Sequence, residues 1–308
     1  MELGPYILLA TLEGAVTAAV LALTAVGLSL VFGVMRVVNI AHGEFFMLGA
    51  VIAWHVAQAV GGPPAAGFIA ALVIAPLVVG AIAALADVTI LRPIGHDPER
   101  TIVATIGLLY IIQQLVLMTY GPEARPVLAP FNQRIAIPWV EWGEAGLRLY
   151  FPWGLSTTSY KIAVIGAAAL VLGGVWAMMA HSRIGLLMRA TQADREMALA
   201  FGIPVERVYA MVFAIGAALA ALAAVLIVPI SQAHYLMGAD PLLLSFIVVI
   251  IGGLGSLPGT VLAALFIGLS DGIISVFFSP TLAKILATLL VALVLVLRPR
   301  GLFGRQGA

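Results

Sequence analysis

The chain has 308 residues, of which 63% are hydrophobic and 9% charged, and its mean hydropathy is +1.15. An average soluble domain is about one-quarter charged, so a water-soluble fold is excluded and a polytopic membrane protein is expected. A net charge of +1 and the absence of cysteine give no reason to expect nucleic acid, a disulfide framework, a thiolate metal site or a cysteine nucleophile.

A helix crossing a hydrocarbon core of about 30 Å needs about 20 residues. Apolar runs of that order predict an all-α transmembrane bundle of eight to nine spans in a single domain covering 1–308. The runs are Tyr6 to Val34, Gly43 to Val60, Ala65 to Ile90, Thr101 to Tyr120, Tyr160 to Ala180, Val208 to Ile230, Pro241 to Ile251, Pro258 to Phe278 and Thr281 to Leu297. The first lacks the basic leader of a secretion signal and is longer than such a signal's core of about 7–15 residues, so it reads as a retained span. The seventh is short and ends in "GGLGSLPG", the pattern of a half-span or broken helix.

Arginines set the orientation, because short cytoplasmic loops are enriched in them. With the C-terminal "RPRGLFGRQGA" inside, Arg36, Arg92, Arg100, Arg183, Arg189, Arg195 and Arg207 fall on the cytoplasmic side, and the N-terminus lies outside. The outer loop of about 121–159 keeps its own bases, as long loops cross largely regardless of charge.

Enzyme readings are weak. The chain has two lysines, Lys161 and Lys284, and neither completes a phosphate loop of the form G-x-x-x-x-G-K-[ST], so ATP is not hydrolysed on this chain. The five histidines form no H-E-x-x-H, no G-x-S-x-G occurs, and no cofactor or metal is implied. The glycines of "GGLGSLPG" follow no strand, which leaves them as a tight turn with close backbone packing.

Two segments carry the polar chemistry. In "GVMRVVNIAHGEFFMLG" four polar residues stand between apolar runs: Arg36, Asn39, His42 and Glu44. Asn39 is expected to cap the second span, and Glu44 falls in its first turn, where the helix dipole favours a carboxylate. Two readings stand for Asn39, His42 and Glu44: a capped helix start at the cytoplasmic side, or a lining of the translocation path and its gate. The cytoplasmic loop of about 181–207, "HSRIGLLMRATQADREMALAFGIPVERV", interleaves polar and apolar residues as a short amphipathic helix stopped by Gly202 and Pro204. Such a helix either docks on a soluble partner or rests on the headgroups. Glu13, Asp87 and Asp271 lie inside apolar runs, where each needs a buried partner or a water-filled cavity.

Together, "GLSLVFGVMRVVNIAHGEFFMLGA", "RATQADREMALAFGI", "SFIVVIIGGLGSLPGTVLAALFIGL" and "LRPRGLFG" resemble the permease subunits of branched-chain amino acid ABC importers of the LivH type, in the right order along nearly the whole chain. The resemblance implies a multi-pass subunit of a bacterial or archaeal inner membrane. It implies as partners a second permease of similar fold, two cytoplasmic ATPases and an extracytoplasmic amino-acid-binding protein delivering leucine, isoleucine or valine. It also makes the loop with Arg189, Asp194, Glu196, Ala200 and Gly202 the ATPase-coupling region, although the Glu-Ala-Ala signature of other importers is kept only loosely as "REMALAFG". The alternatives are the same architecture importing urea or short amides, and an ion-coupled secondary transporter using Glu13, Asp87 or Asp271 as its coupling carboxylate.

Overall fold

A computed structural model describes residues 3–137, 139–143, 146–150 and 156–297. The basic tail with Arg298, Arg300 and Arg305 lies outside the described residues.

Eleven α-helices are present among the described residues. The first four are α1 (Leu3–Met35), α2 (His42–Val60), α3 (Pro64–Ala86), which continues as one π turn over Asp87–Leu91, and α4 (Pro98–Tyr120). After them come α5 (Ser159–His181), α6 (Arg183–Ala193), α7 (Arg195–Ala200), α8 (Val205–Ser231), α9 (Ala239–Gly252), α10 (Leu257–Phe277) and α11 (Pro280–Leu297). Seven helices are long and apolar enough to span, while α9 and α11 are the shorter apolar ones. All nine apolar runs thus become helices, with boundaries displaced by a few residues at most.

The boundaries follow local chemistry. Gly61 and Gly62 sit at φ 60° and 70°, conformations that separate α2 from α3. Asp97 ahead of Pro98, Ser182 and Ser256 ahead of Pro258 each accept from the third residue on, capping α4, α6 and α10.

The segment between α4 and α5 differs from a plain loop. It holds β1 (Arg134–Ala136), β2 (Trp139–Gly143), β3 (Gly146–Tyr150) and β4 (Ser156–Thr158), with β1 antiparallel to β4 and β2 antiparallel to β3. We call this the strand end of the bundle, and the opposite end, carrying α6 and α7, the loop end.

α1 is the axis: 89% of its most apolar stretch is buried, against 22% for α4 and α5. With no hydrophobic drive between helices in lipid, close approach comes from small residues. A side chain at Gly27 would meet the Gly216 carbonyl of α8 at 2.5 Å, and one at Gly14 would meet the Gly268 carbonyl of α10 at 2.8 Å. Helices α4 and α5 present Val103, Tyr110, Met118, Leu170 and Trp176 outward, as lipid-facing helices do.

Candidate functional site

The stretch after α1 turns back into the bundle. α1 ends at the loop end, where Gly33 packs against Gly255 and the Gln192 amide. Residues 36–41 then climb beside it, with the Ile40 amide donating to Thr105 Oγ1 at 3.2 Å and the Ala41 amide donating to Asn39 Oδ1 at 3.0 Å. The His42 ring reaches the Thr24 carbonyl through Nε2 at 2.9 Å. Thr24 lies about 16 Å back from Met35 along α1, at 1.5 Å per residue. α2 therefore starts inside the bundle rather than at its surface, and this corrects the expected helix start at the membrane face.

Asn39 is corrected as well. The N-cap of α2 is Ala41, with no side-chain bond, and Asn39 spends its oxygen on a local turn two residues long. His42 and Glu44 do not satisfy each other: His42 Nδ1 and Glu44 Oε2 are buried with no hydrogen-bond partner. Glu44 is 4% exposed and takes part in no ion pair among the described residues.

The short helix α9 begins against the same point. Residues 232–238 return from the strand end, where Arg125 and Ala233 exchange both backbone hydrogen bonds at 2.9 Å. The turn before α9 lays Gly238 on Gly43, so closely that a side chain on Gly238 would strike the Gly43 carbonyl and approach the Glu44 amide to 3.3 Å. Two helix N-termini, approached by chain from opposite ends of the bundle, meet beside Glu44.

At the loop end, the expected single amphipathic helix is two helices. Asp194, at φ −155°, breaks α6 and caps α7 by accepting from the Met197 amide at 3.0 Å. Arg189 donates to the Met179 carbonyl at the end of α5. Asp194, Glu196, Ala200 and Gly202 are exposed, and so are the apolar Met197, Leu199 and Phe201, the last at 79%. Gly202 ends α7 at φ 78°, a position other residues rarely adopt.

Sequence reasoning missed the contacts that tie this loop to the bundle. Gln192 Nε2 donates to the Gly255 carbonyl at 3.3 Å, joining α6 to the turn between α9 and α10. The Arg195 guanidinium lies 5.8 Å from the Tyr209 ring centre, and that ring packs edge-on against His96 at 4.8 Å. His96 Nε2 in turn bonds Asp87 Oδ1 at 2.9 Å, both side chains nearly inaccessible. Arg92 pairs with Glu206. Only the exposed Asp194, a cap residue by type, carried a sequence signal for this arrangement.

Of the three carboxylates inside apolar runs, Asp87 has His96 and Glu13 has Lys161 Nζ at 2.5 Å. Asp271 is half-buried on α10 and lines a groove of about 480 Å³ between α10 and α11, otherwise apolar but for Ser270. Lys284 pairs with Asp240 at 2.6 Å.

Spanning helices around a buried axis, with two of the helices starting inside the bundle, define a multi-pass membrane protein built to open a path rather than to anchor a domain. Residues 10–296 match the family described as the permease component of the branched-chain amino acid transport system. The chain belongs to that family. It is 28% identical to the high-affinity branched-chain amino acid transport system permease protein LivH of Escherichia coli K12, over 97% of this chain and 96% of the relative. It is also 28% identical to BraD of Pseudomonas aeruginosa, over 92% of this chain and 91% of the relative. A probable LivH of Methanocaldococcus jannaschii is 23% identical, over 95% of this chain and 91% of the relative. No solved structure matches the chain.

Proposed function

We propose that this permease moves leucine, isoleucine and valine inward as one half of a path completed by a second permease of similar fold. Two cytoplasmic ATPases drive it and an extracytoplasmic binding protein loads it. The loop end faces the cytoplasm, the strand end and the N-terminus face outward, and the membrane is a bacterial or archaeal inner membrane. The observation that carries the reading is the α6–α7 unit: Met197 and Leu199 on α7 and Phe201 directly after it are exposed, and they offer apolar anchors for a groove on a soluble partner. Arg189, Asp194, Glu196, Ala200 and Gly202 build the frame of that surface.

Asn39, His42 and Glu44 belong to the gate of the path, at the junction of α2 and α9. Against an ion-coupled carrier stands the α6–α7 unit, which such a carrier does not require; of its three candidate carboxylates Glu13 and Asp87 are held by Lys161 and His96, and Asp271 alone has no ion-pair partner among the described residues.

The test is uptake of labelled leucine and labelled urea by host cells with and without an in-frame deletion of the gene. Loss of leucine uptake alone, restored by the intact gene, is expected. Loss of urea uptake instead overturns the cargo.

A further inference from the structure

We propose that the junction of α2 and α9 is the permease's own recognition point for a free amino acid: Glu44 takes the ammonium group, and the open amides at the start of α2 take the carboxylate. This rests on the reading of Asn39, His42 and Glu44 as part of the path.

Three observations converge. Glu44 is buried, and its Oε2 has no partner, although a carboxylate kept at membrane depth needs a counter-charge. Both lysine ammonium groups are already committed, Lys161 to Glu13 and Lys284 to Asp240. Within the same turn, the amides of His42 and Gly43 donate to no acceptor among the described residues, and α9 brings the positive end of a second helix to the same point. Ser245 Oγ, one turn beyond Leu242 on the α9 face that touches Gly43, is buried without a partner too.

The charges match one class of solute. A zwitterion with both charged groups on one carbon satisfies a lone carboxylate and a helix N-terminus together, whereas a simple acid or a simple amine satisfies only one of them. Neutral urea supplies neither charge. In this structure Gly43 and Gly238 touch, so the junction is shut. Parting of the two helix starts admits the solute, and it lets go when they close. The site holds its cargo weakly, since its polar groups are those of one gate and not of an enclosing pocket.

The chain has no cysteine, so one introduced thiol is the sole thiol on this subunit, and its alkylation is read on the permease band alone. The experiment uses Ser245→Cys in full-length permease, in membrane vesicles with its natural partner subunits and ATP, and follows the rate of alkylation by a small maleimide. Millimolar L-leucine is expected to slow the reaction, while 4-methylpentanoate, which has a similar shape without the ammonium, does not. In the Glu44→Gln background the leucine concentration needed for protection rises about tenfold or more, as loss of one charge-assisted contact implies, and Glu44→Asp recovers part of it. A thiol that never reacts, or reacts at a rate no leucine concentration changes, removes the junction from the path and the inference with it. Equal protection by 4-methylpentanoate, or full protection of Glu44→Gln by leucine, leaves the path standing and overturns the role of Glu44.

Discussion

The Asp87–His96 pair is the clearest case of a buried charge managed by one neighbour. Asp87 Oδ1 is bonded to His96 Nε2, Asp87 Oδ2 has no partner, and neither side chain is appreciably exposed. Removing one partner of a buried pair leaves the other uncompensated, at a cost of about 3–5 kcal/mol. His96→Ala is therefore expected to lower the unfolding temperature of the detergent-purified chain strongly, and adding Asp87→Asn is expected to restore most of the loss. If the double variant is no more stable than His96→Ala alone, the pair does not hold this region. The sequence marked Asp87 as needing a partner but did not name it. His96 reaches it because α3 closes with a π turn over Asp87–Leu91 and the chain reverses at Gly95 and His96, both at positive φ, and no periodicity announces that geometry. Glu44 was legible as a residue at a helix start, but its isolation depends on where α9 begins.

Among the elements, helix existence was readable because the bilayer fixes the length of an apolar run, and that constraint does not depend on the neighbours. Depth and crossing are tertiary properties. Nothing in "VVNIAHG" distinguishes a helix starting at the membrane face from one starting beside Thr24, and the weak alternation in Arg134–Ala136 and Ser156–Thr158 gives no hint that these two short strands pair. Glycines separate the same way. Gly27 lies against the Gly216 carbonyl, whereas a side chain at Gly107 of α4 would meet nothing within 4 Å. Gly27→Ala is expected to destabilise by about 1–3 kcal/mol through overpacking. Gly107→Ala is expected to be neutral or stabilising by up to about 1 kcal/mol, as helix propensity alone dictates. Thermal unfolding of the two variants side by side checks this, and equal shifts of the same sign would contradict the assigned crossing of α1 and α8.

At the scale of the whole molecule, the proposed function requires energy entering at the loop end to reach the α2–α9 junction, and the bundle supplies a short physical connection. Gln192 bonds the turn that ends α9, Gly255 in that turn packs on Gly33 of α1, and the far end of α9 lies on Gly43. α6 is thus joined directly to the turn that ends α9, while Arg195, Tyr209 and His96 hold the start of α7 to α8 and to the end of α3. Phe201 stands outside these contacts, 79% exposed, so its loss costs the fold nothing by burial. Phe201→Ser is expected to leave the unfolding temperature unchanged and to reduce ATP-driven uptake by about tenfold or more, the usual effect of deleting an aromatic anchor from an interface. Gly202→Pro acts on the backbone instead, because proline fixes φ near −65° where the chain requires 78°. It is expected to disturb the end of α7 and impair uptake while the protein still inserts. Measured together, normal uptake by both variants at normal membrane levels would remove the docking role from α7, whereas loss of uptake with unchanged stability in Phe201→Ser places that side chain at a surface the permease alone does not complete.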